Sequence, residues 1–290
     1  MSQPTVRLCR FATADGRPRT GLLEDTTVTD LTAAGATGLT DLLATPDPTA
    51  HVAGLLRSTP SAPQLPRHSV RLLAPVEQQE VWAAGVTYLR SKSARMEEST
   101  FSASAYDRVY SAPRPEIFFK SLPHKVSGPG DPVGIRADAT WSVPEPELAL
   151  VFDATGTLKG FTLGNDMSSR DIEGENLLYL PQAKTYRHSC ALGPCIALAT
   201  EAQARSWHIR IRIERAGTAV FEGTTEVARI VRTFGELGSW LFRSQSFPHG
   251  AVLLTGTGIV PPDAFTLRQG DLVTIDLDGI GTLRNPVVVV

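Results

Sequence analysis

Apolar and polar residues alternate over short stretches along most of the chain, which is the pattern of β-strands rather than of long helices. From about residue 70 onward these stretches recur, each bounded by Gly, Pro or Asp. They predict strands over the segments EVWAAGV, EIFFK, ELALVFD, GFTLGND, CIALAT, HIRIRIER, AVLLTGTGIV and LVTIDLDG. Most of the chain is therefore expected to be built on β-sheet.

Helical patterns are fewer. The segment TFGELGSWLFRSQ places apolar residues at helical spacing, TYLRSKSARMEESTFSASAYDRVYS predicts a broken helix, and a further helix is predicted near LTDLLAT. Many short strands with two or three helices predict an α+β fold built around curved mixed β-sheets.

The chain is predicted to divide into two units. Residues 1–70 hold short alternating stretches such as TVRLCRF and RTGLLE, and they end in STPSAPQLPRHS, whose composition is typical of a linker. A length of 290 residues also favours a small domain beside a larger one. We therefore expect a small N-terminal domain over residues 1–70 and a β-rich domain over residues 71–290.

The charge balance is close to neutral, with 28 basic and 30 acidic side chains. This removes the electrostatic case for nucleic acid or an anionic membrane, so the expected partner is a small molecule. The start lacks the pattern of a signal peptide, and no run reaches the roughly 18 apolar residues of a membrane span, so a cytoplasmic location is expected. Cys9, Cys190 and Cys195 are scattered and odd in number, which fits buried thiols rather than disulfides or a zinc site.

The segment WSVPEPELAL places two glutamates at the start of an apolar strand. Pro144 and Pro146 hold the backbone extended, and a period of two then directs Glu145 and Glu147 to one face. Proline has no N–H for a central ladder, so this start is expected at the edge or the mouth of a sheet. Two converging carboxylates repel each other unless a cation lies between them. An exposed strand start with solvated charges is the alternative.

A third carboxylate follows in GFTLGND, where the strand ends at Asp166 and leads into the polar turn MSSRD. Ligand sites are common in such turns. Three oxygen ligands with no Cys or His nearby favour Mg²⁺ or Mn²⁺ over zinc, and Ca²⁺ is a further hard cation of this kind. The sequence thus predicts a metal site.

Four motifs, in this order, resemble the fumarylacetoacetate hydrolase superfamily: PEPELALV, GFTLGNDMSSRDIE, QAKTY and LLTGTGIV. That family carries an E-x-E pair, an N-D-x-[ST]-x-R-D turn, a downstream lysine and a late T-G-T motif. The likeness covers roughly residues 70–290. It implies a fumarylacetoacetate hydrolase-like, β-rich C-terminal domain, a small N-terminal domain, and a homodimer or a homotetramer.

The resemblance also implies roles for individual residues. Glu145, Glu147 and Asp166 would be the metal ligands, and Lys184 the cation beside the metal. Thr257, in the T-G-T motif, would contact the carboxylate of the substrate.

The chain departs from the hydrolytic members of this family at one motif. Those members carry a [ND]-Y-x-x-H stretch whose histidine activates water, whereas here Tyr88 is kept and Ser91 replaces the histidine. Serine does not titrate near neutral pH, so it cannot serve as the same general base. Together with this departure, RPEIFFK, WSVPEPELAL and DIEGENLLYLPQAK resemble a subgroup that removes water from 2-keto-3-deoxy sugar acids.

The segment PRPEIFFKS supplies two further candidates. In a strand, Glu116, Phe118 and Lys120 lie on one face, with an acid and a base on either side of an aromatic ring. A surface ion pair is the alternative.

The resulting hypothesis is a Mg²⁺-dependent dehydratase, with 2-keto-3-deoxy-D-arabinonate as the expected substrate. The metal would chelate the carboxylate and keto oxygens, and Glu116, or else a metal-bound hydroxide, would remove a C3 proton. Lys184 would stabilise the enolate charge, and Lys120 is the candidate acid for the departing C4 hydroxyl.

The remaining predicted substrate contacts are Tyr88, Arg170, Glu173 and Gln182, of which Glu173 and Gln182 have the alternative of capping the local turn. Two other functions stay open. One is hydrolysis or decarboxylation of a 2-keto or 1,3-diketo acid such as an acylpyruvate or oxaloacetate. The other is metal-dependent binding of a keto acid without catalysis.

Overall fold

A computed structural model describes residues 5–88 and 108–290 of the chain. The strands within these residues are β1 (Val6–Ala12), β2 (Pro18–Leu23), β3 (Thr27–Asp30), β4 (Gln64–Pro66), β5 (Arg71–Leu73), β6 (Glu80–Gly85), β7 (Glu116–Ser121), β8 (Val133–Ile135), β9 (Ser142–Val143), β10 (Pro146–Phe152), β11 (Leu158–Asp166), β12 (Ser168–Ser169), β13 (Cys190–Leu198), β14 (His208–Arg215), β15 (Thr218–Glu226), β16 (Ala251–Leu254), β17 (Leu272–Leu277) and β18 (Gly281–Val289). The α-helices are short: α1 (Leu39–Ala44), α2 (Pro48–Ser58), α3 (Arg170–Glu175), α4 (Leu180–Lys184), α5 (Glu201–Arg205) and α6 (Phe234–Phe242).

A large mixed sheet forms the centre of the fold, with strand order β4-β3-β2-β1-β13-β11-β10-β16-β6-β7 and β5 paired to β1. Strand β10 lies in its interior, antiparallel to β11 on one side and to β16 on the other. All of its residues are buried. Leu148 and Leu150 join one apolar cluster while Ala149 and Val151 join a second, as expected of a strand that is covered on both faces.

A second sheet, in the order β15-β14-β17-β18-β8, packs its apolar face into the first of these clusters. Strand β14, HIRIRIER, alternates between buried isoleucines and more exposed polar residues, so one face of this sheet is polar. The predicted α+β class with curved mixed sheets and few helices is confirmed.

The position of the PEPE segment resolves one alternative. Its strand is interior, and Pro146 is the first residue of β10, where the missing N–H removes no bond from the middle of the ladder. The glutamates therefore lie at the mouth of the sheet, which is the second of the two predicted positions, and not on an edge strand.

The first 70 residues contribute strands to the same large sheet as the rest of the chain, because β1 pairs with β13. The stretch read as a linker contains β4, which pairs with β3. Helix α2 had no counterpart in the pattern analysis, although Asp47 and Pro48 supply the cap and first residue typical of a helix start. The division of the chain at residue 70 stays a prediction.

Two of the predicted helices are present, at α1 and α6. Most of the third, TYLRSKSARMEESTFSASAYDRVYS, including Ser91, lies outside the described residues. Cys9, Cys190 and Cys195 are free and buried, as predicted. Among the helices of the described residues, none is long and apolar enough to cross a membrane.

Candidate metal centre

Three buried carboxylates meet where β10 begins and β11 ends. The two strands are antiparallel neighbours, and the Asp166 amide donates to the Glu145 carbonyl at 2.9 Å. Glu145, Glu147 and Asp166 each offer an oxygen within 4.8 Å of the other two. The predicted convergence of the two glutamates on one point, with Asp166 beside them, is therefore present in the fold.

Two of these carboxylates have cationic partners. Glu145 forms ion pairs with Arg170 at 2.8 Å and with Lys184 at 2.5 Å. Asp166 forms ion pairs with Lys120 at 2.5 Å and with Lys184 at 3.3 Å. The three cations are as deeply buried as the acids they face, so each charge depends on its partner in place of water.

Glu147 differs from the other two carboxylates of this cluster. Within the described part of the chain its carboxylate forms no ion pair, and it accepts one hydrogen bond at 2.7 Å from the Gly256 amide. Burial, together with the nearby charges of Asp166 and Glu145, raises the pKa of Glu147 well above its ordinary value. A negative charge on Glu147 is therefore poorly compensated by the chain alone.

Gly256 can approach Glu147 because it is a glycine. Its φ of +87° lies in the left-handed region, and a Cβ there would come within 2.3 Å of the Thr87 hydroxyl oxygen. The T-G-T motif thus delivers a backbone N–H to the carboxylate, a contact that the sequence analysis did not anticipate.

This donor set fits a hard divalent cation. All three candidate ligands are carboxylates, their oxygens are close together, and Glu147 forms no ion pair with the residues that the structure describes. Mg²⁺ suits such a site because it is held by few carboxylates and retains other positions for water or substrate oxygens. Mn²⁺ prefers similar ligands.

Glu116 and Glu173 line the same cavity as the three carboxylates and Lys184, together with Phe118 and the backbone of residues 84–86. Glu116 and Phe118 of β7 both line this cavity, whereas Lys120, the third residue of the predicted common face, does not. The cavity therefore places two further carboxyl groups and one ammonium group beside the candidate metal ligands.

The position of Glu116 depends on Gly85, since a Cβ at residue 85 would lie 2.0 Å from Glu116 Oε2. Gly85→Ala is expected to displace the Glu116 carboxylate while changing the free energy of unfolding little, because the end of a glutamate side chain is free to move. If Glu116 acts in catalysis, kcat falls by roughly 10- to 100-fold, as a misplacement of about 1 Å does elsewhere. Gly235→Ala, which has no atom within 4 Å of the added Cβ, is the matched control. Unchanged kcat in Gly85→Ala would contradict the importance of this position.

Lys120 has no exposed side-chain surface. Its Nζ donates to the carbonyl oxygen of Met167 at 3.0 Å and to that of Lys184, in addition to its ion pair with Asp166. Lys120 is absent from the lining of the metal cavity and borders instead a larger cavity of about 660 Å³, beside Thr185 and Tyr186.

Three other predicted substrate contacts, Thr257, Gln182 and Tyr88, do not line the metal cavity. Thr257 is buried and its hydroxyl bonds to the main chain of Ile259 at 3.2 Å. Gln182 is exposed on α4. Tyr88 is buried beside Gly258 and borders a separate cavity, and its hydroxyl has no hydrogen-bond partner among the described residues. None of these three lines the metal cavity.

The contacts of Arg170 and Ser168 with Glu145 and Lys184 were not predicted from the sequence. Arg170 faces Glu145, and the Lys184 Nζ donates to the Ser168 hydroxyl at 2.5 Å. Both residues belong to the turn MSSRD, so the motif marked the right segment while the contacts of its individual side chains were not evident.

Comparison with known proteins agrees with this geometry. Residues 80–288 match the family described as fumarylacetoacetate hydrolase C-terminal, and residues 6–75 match one described as Rv2993c-like, N-terminal. A probable 2-keto-3-deoxyxylonate dehydratase of Haloferax volcanii is 46% identical over 217 residues, which are 74% of this chain and 74% of that protein. The 2-dehydro-3-deoxy-D-arabinonate dehydratase of Saccharolobus solfataricus is 39% identical over 224 residues, 76% of this chain and 75% of the other.

The fold is also similar to solved structures. One, described as 2-keto-3-deoxy-D-arabinonate dehydratase complexed with magnesium and 2,5-dioxopentanoate, has a TM-score of 0.80 and 30% sequence identity, covering 98% of this chain and 99% of that one. The resemblance drawn from the four motifs is thus confirmed over most of the length. The chain belongs to the fumarylacetoacetate hydrolase family.

Proposed function

We propose that this protein is a Mg²⁺-dependent dehydratase of a 2-keto-3-deoxy sugar acid, with 2-keto-3-deoxy-D-arabinonate as the first candidate substrate. One observation carries the proposal: a cavity that joins three converging buried carboxylates with Glu116 and Lys184. It is supported by the likeness to two proteins named as dehydratases of such acids.

Glu145, Glu147 and Asp166 would hold the metal. When bound, the cation supplies the Lewis acidity that polarises a 2-keto group and acidifies the adjacent C3 protons. Mn²⁺ is the expected functional substitute.

Glu116 is the proposed general base. It lines the cavity and carries a carboxylate on a rigid strand, so it is placed to accept a proton from C3 of a keto acid bound beside the triad. The C3–H electron pair first moves toward the keto oxygen to give an enolate, and it then forms the C3–C4 double bond as the ketone is restored and the C4–O bond breaks. The departing oxygen leaves as water after gaining a proton, for which the proton on Glu116 is a source inside the cavity. Tautomerisation of the unsaturated product then gives 2,5-dioxopentanoate.

Lys184 is proposed to stabilise negative charge on the substrate oxygens. Its ammonium group lies on the cavity wall and is fixed by Glu145 and Ser168, each at 2.5 Å. A charge held in place in this way needs no reorganisation during the reaction, which is why such groups contribute strongly to catalysis.

Substrate hydroxyls are proposed to bind Glu173, which lines the cavity from α3. The geometry favours Arg170 as a support for Glu145 rather than as a direct substrate contact. Roles for Thr257, Gln182 and Tyr88 in substrate binding stay predictions.

The metal cavity has a free volume of about 20 Å³, which accommodates about one water-sized group. A five-carbon acid needs more space, so we expect side chains around the cavity to move when substrate binds.

The direct test supplies 2-keto-3-deoxy-D-arabinonate to metal-depleted protein and to protein with added Mg²⁺, and follows 2,5-dioxopentanoate by its aldehyde group. The expected result is product formation only with the metal. Oxaloacetate and an acylpyruvate are tested beside it. Turnover of these two alone would support the decarboxylase or hydrolase alternative, and Mg²⁺-dependent thermal stabilisation by keto acids without any product would support a binding protein.

We also propose a cytoplasmic location and a homo-oligomeric assembly for this protein. A cytoplasmic location rests on the sequence pattern, and a homodimer or homotetramer rests on the family resemblance. Light scattering coupled to size-exclusion chromatography measures the assembly state, and a monomer at micromolar concentration would contradict it.

A further inference from the structure

We propose that Lys120 is a positioning residue of the metal centre: it fixes the Asp166 carboxylate and the backbone at Lys184, and it transfers no proton to substrate. The inference rests on the proposed metal site, because Asp166 matters here as a metal ligand.

The contacts of Lys120 join three separate elements. The residue lies on β7 and reaches Asp166 Oδ1 at 2.5 Å, at the end of β11. It also donates to the carbonyl of Met167 at 3.0 Å and to the carbonyl of Lys184, the last residue of α4. Two main-chain carbonyls thus accept hydrogen bonds from the ammonium group, and the Asp166 carboxylate pairs with it by charge. Each of these contacts is with the protein, and together they join the metal centre to the end of α4.

The location of Lys120 supports the same conclusion. Its side chain does not line the cavity that holds the three carboxylates and borders instead the cavity beside Thr185 and Tyr186. A group that donates a proton to a leaving hydroxyl must come within hydrogen-bond distance of it. Lys184, by contrast, lines the cavity.

The complete burial of the Lys120 ammonium group is the third observation that supports a positioning role. Taking an ammonium group out of water has a large desolvation penalty, which close pairing and additional hydrogen bonds offset. Here those contacts hold one oxygen of Asp166 and so restrict rotation of its carboxylate. Groups that orient metal ligands in this way typically change metal affinity or activity by about 10- to 100-fold when they are removed.

Holding the Lys184 carbonyl extends the same effect to the second catalytic candidate. The backbone at the end of α4 determines where the Lys184 ammonium group lies relative to Glu145 and Asp166. Lys120 thus couples the position of a metal ligand to the position of the cation beside it.

The experiment measures Mn²⁺ binding by electron paramagnetic resonance, with Mg²⁺ competition, in the full chain and in Lys120→Met. We expect Lys120→Met to weaken Mn²⁺ binding by about 10- to 100-fold. At saturating metal, the decrease of kcat at alkaline pH should be the same in Lys120→Met as in the unchanged chain, because the proton donor is another group.

Lys159→Met is the matched control: Lys159 is also nearly buried, pairs with Asp153 at 3.2 Å and donates to the Thr45 carbonyl at 3.0 Å. It lies seven positions before Asp166 on β11, about 23 Å along the strand.

Each outcome decides the question. If Lys120→Met binds Mn²⁺ as tightly as the unchanged chain but loses the alkaline limb of the pH profile, Lys120 is the acid and the inference is wrong. If both lysine variants are less stable yet bind Mn²⁺ normally, Lys120 serves the fold alone and the inference is again wrong. Lys120→Gln repeats the comparison if the methionine variant does not fold, since its amide can still donate to a carbonyl.

Mn²⁺ binding by the unchanged chain distinguishes a failure of the proposed function from a failure of the inference about Lys120. If the unchanged chain binds no Mn²⁺, the metal site itself is absent and the proposed function fails with it. If the unchanged chain binds Mn²⁺ and Lys120→Met and Lys120→Gln bind it equally well, only the inference about Lys120 is overturned.

Discussion

Replacing Glu147 by glutamine is expected to abolish Mg²⁺-dependent turnover while stabilising the metal-free protein. The amide can still accept the Gly256 hydrogen bond, but it supplies no charge to a cation. Loss of a metal ligand should lower kcat/KM by roughly 1000-fold, since the cation contributes several kcal/mol. The buried site disfavours the charged form of Glu147 whereas the unfolded chain does not, so a side chain without a titratable group should raise the free energy of unfolding at neutral pH by about 1 to 3 kcal/mol.

The pH dependence of stability provides an independent check. Because burial and the neighbouring acids raise the pKa of Glu147, the metal-free native state holds a proton that the unfolded state releases. Stability must then fall as pH rises from the ordinary glutamate pKa of 4.5 through the raised value. We expect this slope in the metal-free protein, a smaller slope in Glu147→Gln, and recovery of stability on adding Mg²⁺ only where Glu147 is present.

The matched control for this variant is Asp271→Asn. Asp271 is equally buried, but it pairs with Arg215 at 2.7 Å and does not line the metal cavity. It should destabilise the fold and leave the Mg²⁺ response intact. Full activity in Glu147→Gln would show that the three carboxylates do not form the metal site.

Glu116→Gln is expected to lower kcat by about 10²- to 10⁴-fold, the usual contribution of a positioned general base. Metal binding should change much less, because Glu116 lines the cavity without belonging to the cluster of three ligands. Mn²⁺ affinity and single-turnover kinetics with 2-keto-3-deoxy-D-arabinonate measure the two effects separately.

Glu80→Gln on the adjacent strand is the control for the Glu116 variant. Glu80 accepts a hydrogen bond from the Trp82 indole at 3.0 Å and does not line the metal cavity. A kcat within twofold of normal in Glu116→Gln would assign proton abstraction to a different group. Loss of Mn²⁺ binding in that variant would instead make Glu116 part of the metal site.

Local patterns were sufficient for much of the fold. Strand β14 was predicted with both of its ends, because alternation of isoleucine with charged residues is a clear signal. Strands β15 and β18 were missed, since Gly223 in one and the Asn285-Pro286 pair in the other are typical of turns. Their pairing with β14 and β17 overrides that local preference.

The sequence by itself determined which residues can form the metal site. Two prolines hold the backbone of Glu145 and Glu147 extended, and an apolar strand ends at Asp166, so the ligand types and their common face follow from local geometry. The order of the four motifs gave the resemblance to the family, which the match over residues 80–288 confirms.

Only the tertiary structure decided how these charges are balanced. Gly256 donates to Glu147 across 109 positions of the sequence, and Lys120 reaches the end of β11 from another strand. Such contacts depend on how strands pair and which side chains are buried together, and a local period of two carries no information about either. The sequence therefore named the candidate ligands, while the packing of distant strands gave Glu145 and Asp166 cationic partners and gave Glu147 a hydrogen bond from a backbone amide.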